Sequence, residues 1–363
     1  MHNNIEIPFG YPFMCGKRAI IMKYPSGIPL CAEKCTIIMK GELRRRNNMK
    51  YIETFREGER VNEIFLCKYK QSAVTRNGKP YENVILQDKT GTIDAKIWDP
   101  DSQGIESFET LDYISVIGDI TSFQGTLQMN IKRVRKTQPG EYKEADYLPV
   151  SDRDIAQMYG ELKGYISTVK NPYLQKLLSL FFLEDEEFAK RFQSHSAAKS
   201  VHHGFVGGLL EHTLSVTRLC GAFCEQYPIL NHDLLLTAAM FHDIGKLDEL
   251  SDFPANDYTD EGQLLGHIII GTEKVGACIR TIPGFPQKLG NELKHCILAH
   301  HGELEFGSPK KPALVEAVAL HFADNIDAKM ETLKEAFANV PEGNTEWLGY
   351  NRLLESNIRK TGR

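Results

Sequence analysis

The chain has 363 residues, 42% of them hydrophobic and 25% charged, an ordinary globular composition that excludes a disordered chain, a collagen-like fibre and a coiled-coil rod. At about 100–200 residues per domain it holds two or three domains, and with no apolar run near the roughly 18 residues a bilayer crossing needs, no membrane partner is expected. The net charge of −5 divides into +5 over residues 1–48, zero over 49–137 and −10 over 138–363, so no basic footprint for nucleic acid covers the whole chain.

Residues 1–48 contain Pro8, Pro12, Pro25, Pro29, Cys15, Cys31, Cys35 and the run Arg44-Arg45-Arg46. They show no sustained period and none of the order of a signal peptide. A poorly ordered extension is expected, with Met49 a candidate start of the folded protein. Cys31 and Cys35 have no second pair nearby to complete a zinc site. The eight cysteines of the chain are scattered, and read as reduced thiols of a cytosolic (cytoplasmic) protein.

Residues 61–69 are rich in strand formers, and the strand continues to Val74 before Asn77-Gly78, a hairpin turn signal. Residues 81–86 return. Asp88-Lys89-Thr90-Gly91 turns into residues 92–98, which alternate apolar and polar. Residues 113–123 and 127–134 supply two more strands across Gln124-Gly125. Five strands, with a gap after the third that would hold a short helix, predict a small all-β OB-type barrel over residues 49–137. An SH3-like barrel would give a similar pattern. OB barrels bind single strands by stacking bases on aromatics in a basic groove. The candidates are Tyr69, Tyr81, Trp98 and Phe123 with Lys68, Lys70, Arg76 and Lys96, although each aromatic taken singly reads more readily as core. Residues 132–136, KRVRK, form a further basic edge.

Residues 138–149 are polar, contain Pro139 and Pro149, and read as a linker. From Ser151 the pattern is helical: residues 151–154 offer a cap, and Leu174, Leu177, Leu178, Phe181 and Phe182 recur at helical spacing. Breaks fall at Pro228, Gly245, Pro254, Pro283, Pro286 and Pro309. One all-α domain is expected over 150–340, followed by a tail over 341–363 that forms a short helix or frays from Trp347.

Eleven of the twelve histidines lie between His195 and His321. His212, His242-Asp243, His267, His300-His301 and Asp324 are each embedded in apolar sequence. A buried, uncompensated carboxylate costs several kcal/mol, and two of them among several buried imidazoles call for a divalent cation. No His-Glu-x-x-His helix, Gly-x-Ser-x-Gly elbow or phosphate-cradling Gly-x-x-x-x-Gly-Lys loop is present. His195, His232, His295 and His321 read as structural.

His212, His242-Asp243 and Asp324 on successive helices resemble the HD superfamily of metal-dependent phosphohydrolases, and His267 with His300-His301 resembles its two-metal branch. Ile244-Gly245-Lys246 and residues 202–213, HHGFVGGLLEHT, narrow the resemblance to the YhaM family of 3′–5′ exoribonucleases, from Met49 to residue 340. Residues 1–48 lie outside it.

The resemblance implies that His212, His242, Asp243 and Asp324 hold a first ion. Asp243 would bridge to a second ion completed by His267 and one or both of His300 and His301. Two such ions activate water and clamp a phosphate. Mn²⁺ is the expected metal, with Fe, Co, Zn, Ni or Mg as alternatives. Lys246 would hold a phosphate oxygen as a point charge. His203 would contact the phosphate or donate to the leaving group. Asp327 shares the helix face of Asp324, and Glu211 points away from its neighbour His212.

The expected substrate is single-stranded RNA, with single-stranded DNA and a homo-oligomer left open. The expected product is a nucleoside 5′-monophosphate. A phosphodiesterase or phosphatase of nucleotides or cyclic dinucleotides, and a non-catalytic nucleic-acid-binding protein, are the competing readings.

Overall fold

A computed structural model describes residues 49–199, 203–338, 340–341, 343–352 and 354–362. The expectations for residues 1–48 and for His202 lie outside the described residues.

Five strands close into a barrel: β1 (Arg60–Val74), β2 (Pro80–Asp88), β3 (Gly91–Ile97), β4 (Tyr113–Phe123) and β5 (Thr126–Lys136). Their order is β1-β2-β3-β5-β4, with β4 returning to β1 and a parallel pairing only between β3 and β5. That is the strand order of an OB-type barrel. β1 serves both neighbours because its register shifts between Cys67 and Tyr69. The extra residue, Lys68, bends the strand so that its first half pairs with β4 and its second half with β2. Inward positions Phe65, Leu86, Ala95, Ile97, Val116 and Met129 fill the interior.

The gap after β3 holds no helix. Residues 98–112 run as turns with a single bridge from Ile105 to Val134, and Phe108 enters the barrel core. This stretch has no helical apolar period, and one buried ring anchors it instead. The segment at 138–149 is likewise no loose connection. Tyr147 and Leu148 are buried, Tyr142 stacks on Tyr113 at 3.9 Å between centroids, and Tyr147 O accepts from Gln87 Nε2 at 3.1 Å. Aromatic contact outweighs the polar composition there.

The remainder is helical: α1 (Ile155–Thr168), α2 (Pro172–Ser179), α3 (Glu186–Ser194), α4 (Gly208–Gln226), α5 (His232–Phe241), α6 (Lys246–Glu249), α7 (Asp260–Thr281), α8 (Gln287–Ala299) and α9 (Val315–Ala338). Polar caps start several of them: Asp154 accepts from Gln157 N, Asn231 from Leu234 N and Thr259 from Gly262 N, each satisfying an orphan donor. Leu162, Leu177, Phe182, Phe192, Leu235 and Phe241 belong to one continuous core. α5 is buried along its length from Leu234, which delivers His242 and Asp243 into the interior. Where a short helix or a frayed tail was expected, a strand pair forms, Tyr350–Asn351 with Ser356–Asn357. Among the described residues no helix is long and apolar enough to cross a membrane.

Candidate metal centre and nucleic-acid face

Five elements converge on one point. α4 brings His212, the turn after α5 brings His242 and Asp243, α7 brings His267, the end of α8 brings His300 and His301, and α9 brings Asp324 and Asp327. Two glycines make the approach of α7 feasible. A Cβ on Gly245 would lie 2.0 Å from His267 O, so only glycine lets the turn after Asp243 meet α7. Gly266, at φ 72° and ψ 156°, breaks the helix just before His267, a conformation glycine adopts without strain.

The ligand atoms of the seven expected ligands fall into two clusters, and His203, His212 and Asp327 form a further group that shares His212. Those of His212, His242 and Asp324 lie within 4.8 Å of one another, as do those of His267, His300 and His301. Asp243 stands between them and is 2% exposed. Its Oδ2 is 3.3 Å from His212 Nε2 and 3.4 Å from His242 Nε2. Its Oδ1 is 3.4 Å from His267 Nε2 and 3.7 Å from His300 Nε2. One carboxylate thus turns one oxygen to each cluster.

The imidazoles share one orientation. Each Nδ1 meets an acceptor: Asp327 Oδ2 at 2.7 Å from His212, Ala239 O at 2.8 Å from His242, Glu249 Oε1 at 2.9 Å from His267, Ile297 O at 2.7 Å from His300 and Phe306 O at 2.9 Å from His301. Carbonyls and carboxylates accept, so Nδ1 carries the proton and Nε2 presents a lone pair inward. Asp243 Oδ1, His267 Nε2 and His300 Nε2 are buried without any hydrogen-bond partner. Converging unsatisfied acceptors are costly in a protein interior and suit a divalent cation, so these residues fit the metal that the apolar setting of the motif demands.

Electrostatics agree. Burial is the largest influence on Asp243 and pushes its carboxyl upward, but Lys246, His242 and His212 together hold it well below the usual carboxylate range. Asp324 follows the same pattern, with His212, His242 and His300 outweighing burial. Burial drives His300 well below an ordinary imidazole, and the neighbouring His301 and His242 add to that. Burial, then His267, lowers His301. Neutral imidazoles facing ionised carboxylates are the protonation states metal binding requires.

His212 differs from the other imidazoles. Burial, the largest influence, opposes its charge, yet bonds to Asp243, Asp324 and Asp327 raise it well above the ordinary value. The imidazolium stabilises the fold below the unfolded pKa of about 6.5, and that contribution is lost as pH rises through the raised folded pKa. An ion needs the Nε2 lone pair, so binding expels the proton and apparent affinity rises with pH. Loading with Mn²⁺ near pH 7 is expected to release protons from this group, read by pH-stat in weak buffer. Loading without proton release would contradict the assignment.

Lys246 Nζ lies 2.7 Å from Asp243 Oδ2, where it neutralises the carboxylate directly. His203 is buried, with Nε2 3.0 Å from Asp327 Oδ2 and Nδ1 unpartnered. Glu211 faces away from the clusters and accepts from Ser151 Oγ at 2.5 Å. His195 meets two backbone carbonyls, His295 accepts from Ala313 N, and His321 donates to His300 O. Glu249 went unrecognised in the sequence: no periodicity links it to His267, eighteen residues on.

On the barrel, the aromatics are not core. Trp98 is 51% and Phe123 63% exposed, and Tyr69 is exposed as well. Trp98 stacks on Tyr81 at 5.3 Å. Lys96 reaches Asn83 Oδ1 and lies over the Tyr81 ring, and Trp98 Nε1 donates to Asn130 Oδ1 at 2.9 Å. The register places Asn83, Lys96 and Asn130 in one row across β2, β3 and β5. Lys68 is exposed at the bulge and Arg76 lies between β1 and β2. Lys70 does not join this face. Its Nζ donates to Phe108 O at 2.8 Å, lies 4.4 Å from the Phe108 ring centroid and pairs with Glu82 at 3.3 Å. It anchors the segment after β3 and has little charge to offer a ligand.

The family described as HD domain matches residues 209–329, a span that holds both clusters. The 3′–5′ exoribonuclease YhaM of Geobacillus sp. (strain WCH70) is 35% identical over 297 residues, covering 81% of this chain and 90% of its own length. That of Bacillus subtilis (strain 168) is 34% identical over 291 residues, 79% of this chain and 90% of its own. The second OB-fold domain of replication protein A from Methanococcus maripaludis aligns with 26% of this chain and 98% of its own, at 14% identity and a TM-score of 0.20; the strand order, not that likeness, identifies the barrel. An alignment of 297 residues is longer than the helical region and takes in the barrel as well, so the chain belongs to the YhaM family of 3′–5′ exoribonucleases, metal-dependent phosphodiester hydrolases.

Proposed function

We propose that this chain shortens single-stranded RNA from its 3′ end, releasing nucleoside 5′-monophosphates, with two divalent ions, Mn²⁺ foremost, in the two clusters. The carrying observation is Asp243, whose two oxygens face separate histidine clusters. His212, His242, Asp324 and Asp243 Oδ2 would hold one ion; His267, His300, His301 and Asp243 Oδ1 would hold the other. Bound there, the ions would supply Lewis-acid charge to the scissile phosphate and to the attacking water.

The chain's own residues do the rest. Water adds to phosphorus as the P–O3′ bond breaks, and the leaving oxygen takes a proton. His203 would serve that role: Asp327 Oδ2 lies 3.0 Å from its Nε2 and holds the ring, while Nδ1 is left to reach the leaving oxygen or a phosphate oxygen. Lys246, 2.7 Å from Asp243 Oδ2, would hold a non-bridging phosphate oxygen as a point charge.

The barrel supplies the grip that a helical region of net charge −10 lacks. Tyr81 and Trp98 form a stacking platform, with Lys96, Lys68 and Arg76 for the backbone and Tyr69 and Phe123 as further ring contacts. Holding the strand there raises the effective concentration of its 3′ end at the ions. The described cysteines are free, in keeping with a cytosolic setting.

End-labelled single-stranded RNA with Mn²⁺ tests the reading. Stepwise shortening from the 3′ end supports it; hydrolysis confined to mononucleotides or cyclic dinucleotides refutes it. Trp98→Ala is expected to weaken RNA binding about 5–150-fold, the loss of one stacking contact of about 1–3 kcal/mol. Cleavage of a dinucleotide too short to reach the barrel should be unaffected. Filter binding beside a dinucleotide assay checks both.

A further inference from the structure

The two clusters differ in charge. The first contains two carboxylates, Asp324 and one oxygen of Asp243; the second contains three imidazoles and only the other oxygen of Asp243. The nearest additional anion on that side is Glu249, in α6. Its Oε1 accepts from His267 Nδ1 at 2.9 Å and from His267 backbone N–H at 3.0 Å, and its Oε2 lies 3.0 Å from the same Nδ1.

This double hold falls where it is needed. Gly266 breaks α7 immediately before His267, so the helix itself does not fix the amide or the ring of that residue. Glu249 is fixed in turn. Its carbonyl accepts from Thr259 N at 3.0 Å, and a Cβ on Gly262 would lie 2.2 Å from that oxygen, so α6 and the start of α7 are in close contact. Asp327 stands in the same relation to the first cluster, behind His212 Nδ1 at 2.7 Å. Each cluster therefore has one imidazole backed by a carboxylate, while His242, His300 and His301 are backed by main-chain carbonyls.

Resting on the two-ion reading above, we infer that Glu249 is the positioning residue of the second ion. It orients His267 and sets the occupancy of an ion that is the weaker-bound and the more readily exchanged of the two. Loss of a carboxylate behind a metal-bound imidazole lowers metal affinity about 10–100-fold. Here that loss is confined to one of two ions, because Glu249 touches no ligand of the first cluster among the contacts described.

The test is Mn²⁺ titration of the full chain, with bound metal counted by elemental analysis after gel filtration. The wild type is expected to bind two ions, the second more weakly. Glu249→Ala is expected to keep the first ion at unchanged affinity and to weaken the second about 10–100-fold. Glu249→Gln, which retains an acceptor for Nδ1–H but not the charge, should fall between, and Asp327→Asn should weaken the first ion instead. A general loosening of the fold would not produce this reciprocal pattern. Equal weakening of both ions by Glu249→Ala, or none, overturns the inference. If that variant does not fold, wild-type affinity for the second ion in Glu249→Gln overturns it. A wild type that binds fewer than two ions refutes the two-ion reading itself.

Discussion

Asp243→Asn is expected to lower RNA hydrolysis at least about 10³-fold, more than about 4 kcal/mol of transition-state stabilisation, while leaving RNA binding by the barrel largely intact. The substitution keeps the shape of the side chain and removes its charge. It acts at the only group that faces both histidine clusters among the described residues, so both ions lose an anionic ligand at once. The amide also places a donor against one cluster, where Nε2 atoms have their lone pairs reserved for a cation. Lys246, paired with Asp243 Oδ2 at 2.7 Å, loses its ionic partner in a largely buried setting, so thermal unfolding should accompany the assay. The decisive comparison is turnover of end-labelled RNA against filter binding of the same RNA. Unchanged turnover, or a parallel collapse of binding and fold, would defeat the assignment.

Metal removal carries the second large effect. Chelation followed by dialysis should abolish hydrolysis, and Mn²⁺ should restore it. In the stripped protein Asp243 Oδ1, His267 Nε2 and His300 Nε2 lack protein partners, a cost that a cation at the site relieves. Stability should therefore track metal concentration by mass action, rising by about 2.7 kcal/mol for an ion supplied at 100 times its dissociation constant. The helical region should gain, and the barrel, which contains none of these ligands, should not. Calorimetry of the full chain at increasing Mn²⁺ separates the two transitions. A helical transition indifferent to metal would contradict the site.

Much of this centre was legible in the sequence because burial and charge conflict there. Asp243 and Asp324 follow long apolar stretches, and a carboxylate in such a setting demands compensation. The barrel strands were legible through alternation and turn residues. Other features had no such signal. The aromatics of the barrel looked like core by residue type, yet Trp98 and Phe123 are exposed, because facing inward or outward depends on register, which residue type does not display. Lys70 looked like a ligand-binding cation and is engaged with Phe108 and Glu82, partners set by closure of the barrel. Glu249 has no local pattern at all, since its partner is brought to it by the break at Gly266.

From the sequence alone followed the two-part architecture, the identity of the buried imidazoles and carboxylates, and the chemical class of ligand they require: these depend on residue type and local period, which a linear chain displays. Only the tertiary structure assigned each oxygen of Asp243 to its own cluster, turned every Nε2 inward, and set Glu249 and Asp327 behind their histidines. Those relations join residues remote along the chain, and they depend on how helices pack at sub-ångström tolerance, which periodicity does not encode.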